Sequence, residues 1–246
     1  MSVRPYFFPD IIHILSAQRK LREAHQISAL KDLNIEKGLL LLRFDVENSP
    51  EIALKFAKEL HKIDFPATFY FHTRRNVFVP DIMLEIQSLH HEVGFHYECL
   101  DRCEGNFPAA RQLFIKEVAL FRKTGIDIKT VCSHSELFLP KNGYLLNSEL
   151  IMEYPELIKD NGLAGEAYFL TRRFNMIHAR DTFVRILNLY KQIQHTPVDK
   201  GLHILLHSHR WRNNLFQSLH YSMNDIRQGW KNIRKGKRDY DLYSID

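Results

Sequence analysis

The chain has 246 residues, 45% of them apolar, which is enough to fill one sizeable core. Its 34 Lys and Arg against 29 Asp and Glu leave a charge of +5 spread along the chain, a balance that gives no footing for a dedicated nucleic-acid surface. No run approaches the roughly 18 apolar residues of a membrane span. The three cysteines suit a reducing compartment rather than a disulfide scaffold, and Pro5, Pro9 and Asp10 interrupt any secretory pattern, so the expectation is a cytoplasmic globular protein with no transmembrane segment.

Residues 10 to 36 carry Ile11, Ile14, Leu15, Leu21, Ile27 and Leu30 at helix-like spacings, which predicts one or two helices preceding the sheet. Leu39 to Asn48 is an apolar run behind Gly38 that turns acidic at its end, as in a parallel strand buried on both faces. Ser49 and Pro50 suit the N-cap and first position of a helix whose buried stripe is Ile52, Ala53, Phe56, Ala57 and Leu60. Pro66 to Phe71 reads as the second strand, Val79 to Leu89 as a helix and Glu92 to Glu98 as the third strand. Phe107 to Lys123 is a long helix stopped by Gly125, and Ile128 to Cys132 is a fourth strand that delivers Ser133-His134-Ser135.

Between Glu136 and Leu163 the pattern gives a loop around Leu137 to Pro140 and a short helix within Leu150 to Ile158. Gly165 to Leu170 is predicted as a fifth strand, followed by the basic turn Thr171 to Asn175. Thr182 to Gln194 is predicted helical, Gly201 to His207 is the last strand, and a basic C-terminal helix and tail runs over about 211–246. Repeated strand and helix alternation without a linker or repeat favours one α/β domain spanning 1–246, either a parallel barrel or a doubly wound sheet.

In such folds the C-terminal strand ends carry the chemistry. Asp45 and Glu47 share one side of the first strand if it stays extended that far. Two carboxylates so close require a cation or a shared proton, and a divalent metal is the simplest. Fourteen histidines are many for this length, and His96, His134, His203, His207 and His209 fall at or near strand ends. A competing arrangement would join Cys99, Cys103 and Cys132 to His96 and His134 as a structural zinc site.

Four ordered segments resemble the motifs of the polysaccharide deacetylase (NodB-homology) superfamily, in a divergent branch. They are Arg43-Phe44-Asp45-Val46-Glu47, Pro66 to Tyr70, His91 to Glu98 with its Gly94-Phe95-His96-Tyr97-Glu98 core, and Leu205-Leu206-His207. The resemblance implies a distorted parallel (β/α) barrel and a divalent metal, zinc by preference. It also implies hydrolysis of an acyl group from an amino sugar or glycan precursor. On that resemblance Asp45 is the general base, Glu47 and His96 are metal ligands, and His207 protonates the leaving group or stabilises the transition state. Arg43 receives no role. The family's second metal histidine falls here on Leu100, so His134 is the preferred third ligand, with Glu98 and Asp101 behind it. The family's Arg-Pro-Pro-rich third motif is missing as well. These departures motivate the alternative of a catalytically degenerate carbohydrate-binding or glycan-assembly protein on the same fold.

Overall fold

Every residue from Leu39 to Val46 is buried, and successive side chains serve different cores. Leu40, Leu42, Phe44 and Val46 join the large cluster packed against the helices. Leu39 and Leu41 join a smaller one with Tyr70, Cys132 and Leu170. A strand covered on both faces has no polar face to alternate with, so it reads as a plain apolar run.

The computed structural model describes residues 6–34, 38–134, 146–181, 186–214 and 216–217, the side chains of 186–188 excepted. The chain opens with α1 (Phe8–Leu21), β1 (Glu23–His25) and a 3-10 turn over Ile27–Lys31. Then come β2 (Leu39–Val46), α2 (Pro50–Lys62), β3 (Thr68–Phe71), α3 (Pro80–Ser88) and β4 (Glu92–Tyr97). The short α4 (Cys99–Arg102) leads into α5 (Phe107–Lys123) and β5 (Thr130–Ser133), followed by α6 (Glu149–Glu153) and α7 (Glu156–Asp160). The last part holds β6 (Gly165–Glu166), α8 (Ala167–Thr171), β7 (Met176–Arg180), α9 (Ile186–His195), β8 (Gly201–Leu206) and a 3-10 turn at Ser208–Arg210.

All the strand pairings are parallel, in the order β6-β5-β4-β3-β2-β8-β7. The short β1 lies beside Leu39–Leu41, on the edge of β2 that β3 takes over from Arg43 onward. The two ends of the path, β6 and β7, do not pair with each other among the described residues. The result is the expected parallel (β/α) barrel, distorted into a curled sheet left open along one seam.

The inside of the curl is built in layers. At its base the Glu92 carboxylate accepts from the Ser28 amide (2.9 Å), from Thr68 Oγ1 (3.1 Å) and from Thr130 Oγ1, tying the first 3-10 turn to three strands. Above it Tyr70 lies across the sheet with its hydroxyl 2.6 Å from Thr130 Oγ1. That placement needs Gly94, because a Cβ there would stand 2.4 Å from Tyr70 Cε1 and 2.7 Å from the Thr130 carbonyl.

Three expectations are corrected, and one strand is added to those read from the sequence. The helical reading of residues 10–36 holds for α1 up to Leu21 and for the 3-10 turn at Ile27–Lys31; between them Glu23–His25 pairs with Leu39–Leu41 as a strand, tertiary pairing overriding local pattern. The strand expected over Gly165–Leu170 stops at Glu166, whose carboxylate accepts from the Tyr168 (2.7 Å) and Phe169 (3.1 Å) amides and so starts a helix. A strand at Met176–Arg180 is absent from the sequence reading, since as the last strand of the path it buries only Met176 and Ala179. Ser49 takes a left-handed conformation (φ 51°) and its side chain makes no cap. The loop at Leu137–Pro140, residues 182–185 of the expected Thr182–Gln194 helix and the basic tail beyond residue 217 lie outside the described residues.

Two outcomes are expected from this packing. Gly94→Ala must displace the Tyr70 ring or β5, costing about 1–3 kcal/mol in urea unfolding. His91 is buried with its Nε2–H donating to the Ala57 carbonyl (2.9 Å) and its Nδ1 accepting from the Ala67 amide (3.2 Å). Burial pulls its pKa from 6.5 down to about 4. The unfolded chain therefore binds a proton that the folded one refuses. His91's contribution is complete above about pH 6.5 and is lost as pH falls toward about 4, a change on the order of 3 kcal/mol. His91→Gln keeps a donor and an acceptor, so its urea midpoint should depend less steeply on pH over that window than that of the wild type.

Candidate metal centre and its acid and base

Side chains that point inward recur at every second residue of a strand. On β2 the inward series is Leu39, Leu41, Arg43 and Asp45, apolar at the base and charged at the C-terminal end. The parallel register sets Tyr70 beside Asp45 and Gly94 at one level, and His96 beside Cys132 one inward step above it. Directly past the strand ends, His72, Glu98 and His134 follow β3, β4 and β5, with Glu47 beyond β2 and His207 beyond β8. One end of the sheet thus collects most of the interior's titratable groups.

Four of these form a cluster. Glu47, His72, His96 and His134 each offer one ligand atom, and those atoms all lie within 4.8 Å of one another. His134 Nε2 is 3.4 Å from Glu47 Oε1. His96 is oriented by its Nδ1–H, which donates to the Cys132 carbonyl (2.9 Å) and leaves the Nε2 lone pair free to face the cluster. Glu98 stands behind, held by Arg74 and lying 3.5 Å from His134 Nδ1 and 3.8 Å from His72 Nδ1.

Charge states suit cation ligation. Burial lowers His72 well below the ordinary imidazole range, with His96 and His134 adding to the effect. Burial also takes His96 to about 4, against the opposing pull of Asp45. Burial would raise Glu47, but His207 and His134 outweigh it and keep the carboxylate ionised. His134 is pushed down by burial and more strongly up by Glu47, to which it is hydrogen-bonded.

The fit to a divalent ion can be judged from the atoms left without partners. Both ring nitrogens of His72 and Nδ1 of His134 are buried and accept or donate no hydrogen bond. Buried polar atoms are rarely left so, and three imidazoles with one carboxylate form a donor set that zinc and its neighbours accept. Glu47, His72, His96 and His134 are the residues that would hold such an ion.

Beside the cluster stand two groups with opposite proton states. Asp45 Oδ2 is 3.6 Å from His96 Nε2. Its two oxygens accept from Arg43 Nε and Nη2, each at 2.7 Å, and Arg43 Nη2 also donates to the Tyr168 hydroxyl at 3.0 Å. Burial would raise the Asp45 pKa, but Arg43 and His96 outweigh it and bring it to about 2. Across the site, His207 Nδ1–H donates to Asp181 Oδ1 (2.7 Å), while Nε2 faces Glu47 Oε1 at 3.7 Å. The Asp181 carboxylate also accepts from the His207 amide (2.8 Å) and from Trp211 Nε1 (2.9 Å). Burial would lower His207, but Asp181 and Glu47 outweigh it and raise its pKa to about 9.

The structure therefore brings Asp45, Glu47, His96, His134 and His207 to one end of the sheet. Glu98 lies behind the cluster, and Asp101, the other fallback ligand, is outside it. The counter-charge to Asp45 is Arg43, the residue for which motif order supplies no role. Cys99 faces Glu117 (3.5 Å) in the large core, and among the described residues only Cys132 of the three cysteines groups with His96, so the cysteine-rich zinc arrangement does not form there. His72 and Asp181 are missing from the sequence reading. His72 shares the inward phase of Thr68 and Tyr70 and could have been found by extending that strand one residue. Asp181 follows β7, the strand that the pattern did not reveal.

No protein-family model matches the sequence, and no curated protein matches it. Similar solved structures include a CE4 family pseudoenzyme from Bacillus anthracis (15% identity, 78% of this chain, 62% of that one, TM-score 0.47). This chain thus spans less than two thirds of that structure's length. A family 4 carbohydrate esterase from Bacillus anthracis aligns at 17% identity over 88% of this chain and 86% of that one, TM-score 0.45. The catalytic domain of a peptidoglycan N-acetylglucosamine deacetylase from Eubacterium rectale aligns at 13% identity over 78% and 87%, TM-score 0.46. These structures are of the NodB-type polysaccharide deacetylase class that the motifs resemble.

Proposed function

We propose that this protein is a metal-dependent hydrolase that removes an acyl group, acetyl in the simplest case, from an amino sugar or glycan precursor. The supporting observation is the pairing of an ionised Asp45 and a protonated His207 beside a His72, His96, His134 and Glu47 donor set. The ordered motifs that resemble the NodB-type deacetylases supply the substrate class. A divalent ion, when bound, supplies Lewis acidity toward the acyl carbonyl and lowers the pKa of water within its reach.

The chain's own groups divide the proton work. Asp45 accepts the proton of the attacking water as its oxygen bonds to the acyl carbon. Arg43 holds that carboxylate in place with two hydrogen bonds and keeps it ionised before the reaction. His207 gives its Nε2 proton to the leaving nitrogen or oxygen as the acyl bond breaks, and Asp181 orients the ring and stabilises its charged form. Groups whose surroundings drive their pKa values apart are the usual signature of an acid and base pair.

A second reading keeps the fold and drops the chemistry: a carbohydrate-binding or glycan-assembly protein. One observation favours it, since four protein donors can close a tetrahedral ion, whereas three leave it a position for substrate. The hydrolase reading accordingly needs an ion that takes five or more ligands, or a donor that stands off during turnover.

Elemental analysis of the purified protein should find about one divalent ion per chain, and His72→Ala should lower its metal affinity by roughly 10-fold or more. Equal metal content in the two proteins after dialysis against a chelator would remove His72 from the donor set. An acetate-release screen over acylated sugars should give activity for the wild type and a loss of about 100-fold or more for Asp45→Asn with metal retained. A metal-loaded wild type that releases nothing from any acylated sugar would leave the binding-protein reading.

A further inference from the structure

The open seam of the sheet holds a cavity of about 220 Å³ that includes none of the cluster residues. Its lining carries three arginines (Arg43, Arg172, Arg180) and two histidines (His178, His203), with no carboxylate among the lining residues. Tyr168 and Leu205 give it apolar surface.

Two buried groups on this wall carry nitrogens without a hydrogen-bond partner. Arg43 is fully buried, and its guanidinium spends Nε and Nη2 on Asp45 and Tyr168. Nη1, on the opposite edge of the planar group, has no hydrogen bond. His203, at 4% exposure, has neither ring nitrogen bonded. It sits at the level of Leu41, one inward step below Arg43, with the His178 ring 5.2 Å from its own. A cation and an imidazole turned to one cavity without acceptors are donors awaiting one, because leaving such groups unsatisfied is costly.

We propose that this cavity is a second binding site, for a small organic oxyanion with a carboxylate or phosphate head. The head accepts from Arg43 Nη1 and from the N–H of His203, charge-assisted on the arginine side. Arg172 and Arg180 are exposed, and they give the mouth a positive potential that draws anions in. A cavity of 220 Å³ exceeds what a lone phosphate fills, so the ligand carries a short stem against the Tyr168 ring and Leu205. An anion there shares Arg43 with Asp45 from the far edge of the same guanidinium, which links the two sites through one side chain. Binding at this site does not depend on the hydrolase reading.

Titration calorimetry of the full chain with inorganic phosphate and, separately, with acetate should show saturable binding that weakens with added salt. Glycerol, an uncharged control, should not bind. Leu205→Trp fills the cavity, and the double variant Arg172→Ser/Arg180→Ser removes two positive charges from its mouth; each should weaken anion binding by roughly tenfold or more. His96→Ala should bind the anions like the wild type, which separates this cavity from the histidine cluster. The proposal is overturned if neither anion binds with a Kd below about 10 mM, or if both cavity variants bind like the wild type. Loss of binding in His96→Ala alone would place the anion at the cluster and would equally overturn it.

Discussion

A carboxylate and a guanidinium buried side by side on one strand set the terms for the rest of the interior. Arg43 and Asp45 are almost inaccessible to water, and removing charges from water costs several kcal/mol per ion unless geometry compensates. Two parallel hydrogen bonds of 2.7 Å, the Tyr168 hydroxyl and the Tyr168 ring 4.6 Å from the guanidinium carbon provide that compensation. Because the two residues are i and i+2 on β2, the pair stands along the strand axis and fixes Asp45 beside His96. Deleting either partner would strand the other as an uncompensated buried charge.

The remaining charges at this end of the sheet are held in place by the same economy. Glu47 is answered by His134 and His207, Glu98 by Arg74, and Asp181 by His207 and Trp211. Each pairing chooses a proton state, so Asp45 and His207 carry opposite charges at neutral pH although both are buried. His72 alone is left with neither ring nitrogen bonded in the middle of the cluster. That imbalance, rather than the number of histidines, is what marks the cluster as a candidate cation site.

Below this level, along β3, β4 and β5, the interior is structural. Glu92 binds the first 3-10 turn, β3 and β5 together, and Tyr70 lies over Gly94 where no larger residue fits. The sequence Gly94-Phe95-His96 therefore combines two demands: Gly94 makes room for Tyr70 on the inward face, and His96, one inward step on, reaches the cluster.

The parallel strands, and the polar residues gathered at their C-terminal ends, were legible in the sequence for a local reason. A strand buried on both faces leaves an unbroken apolar run, and residues at its C-terminal end break that run with Asp45, Glu47, His96, His134 and His207. Tertiary structure alone decided what depends on a partner strand. Glu23–His25 lies within a stretch read as helical and is a strand by its pairing with Leu39–Leu41. Met176–Arg180 buries two of five residues and is held by β8, so no run marked it, and Asp181 stayed hidden with it. His72 lies one residue past the apolar stretch that defined its strand. Arg43 reads in sequence as a basic interruption of a core strand; only the fold shows that its charge is spent on Asp45, because the hydrogen bonds that commit it form between side chains whose direction the strand geometry sets.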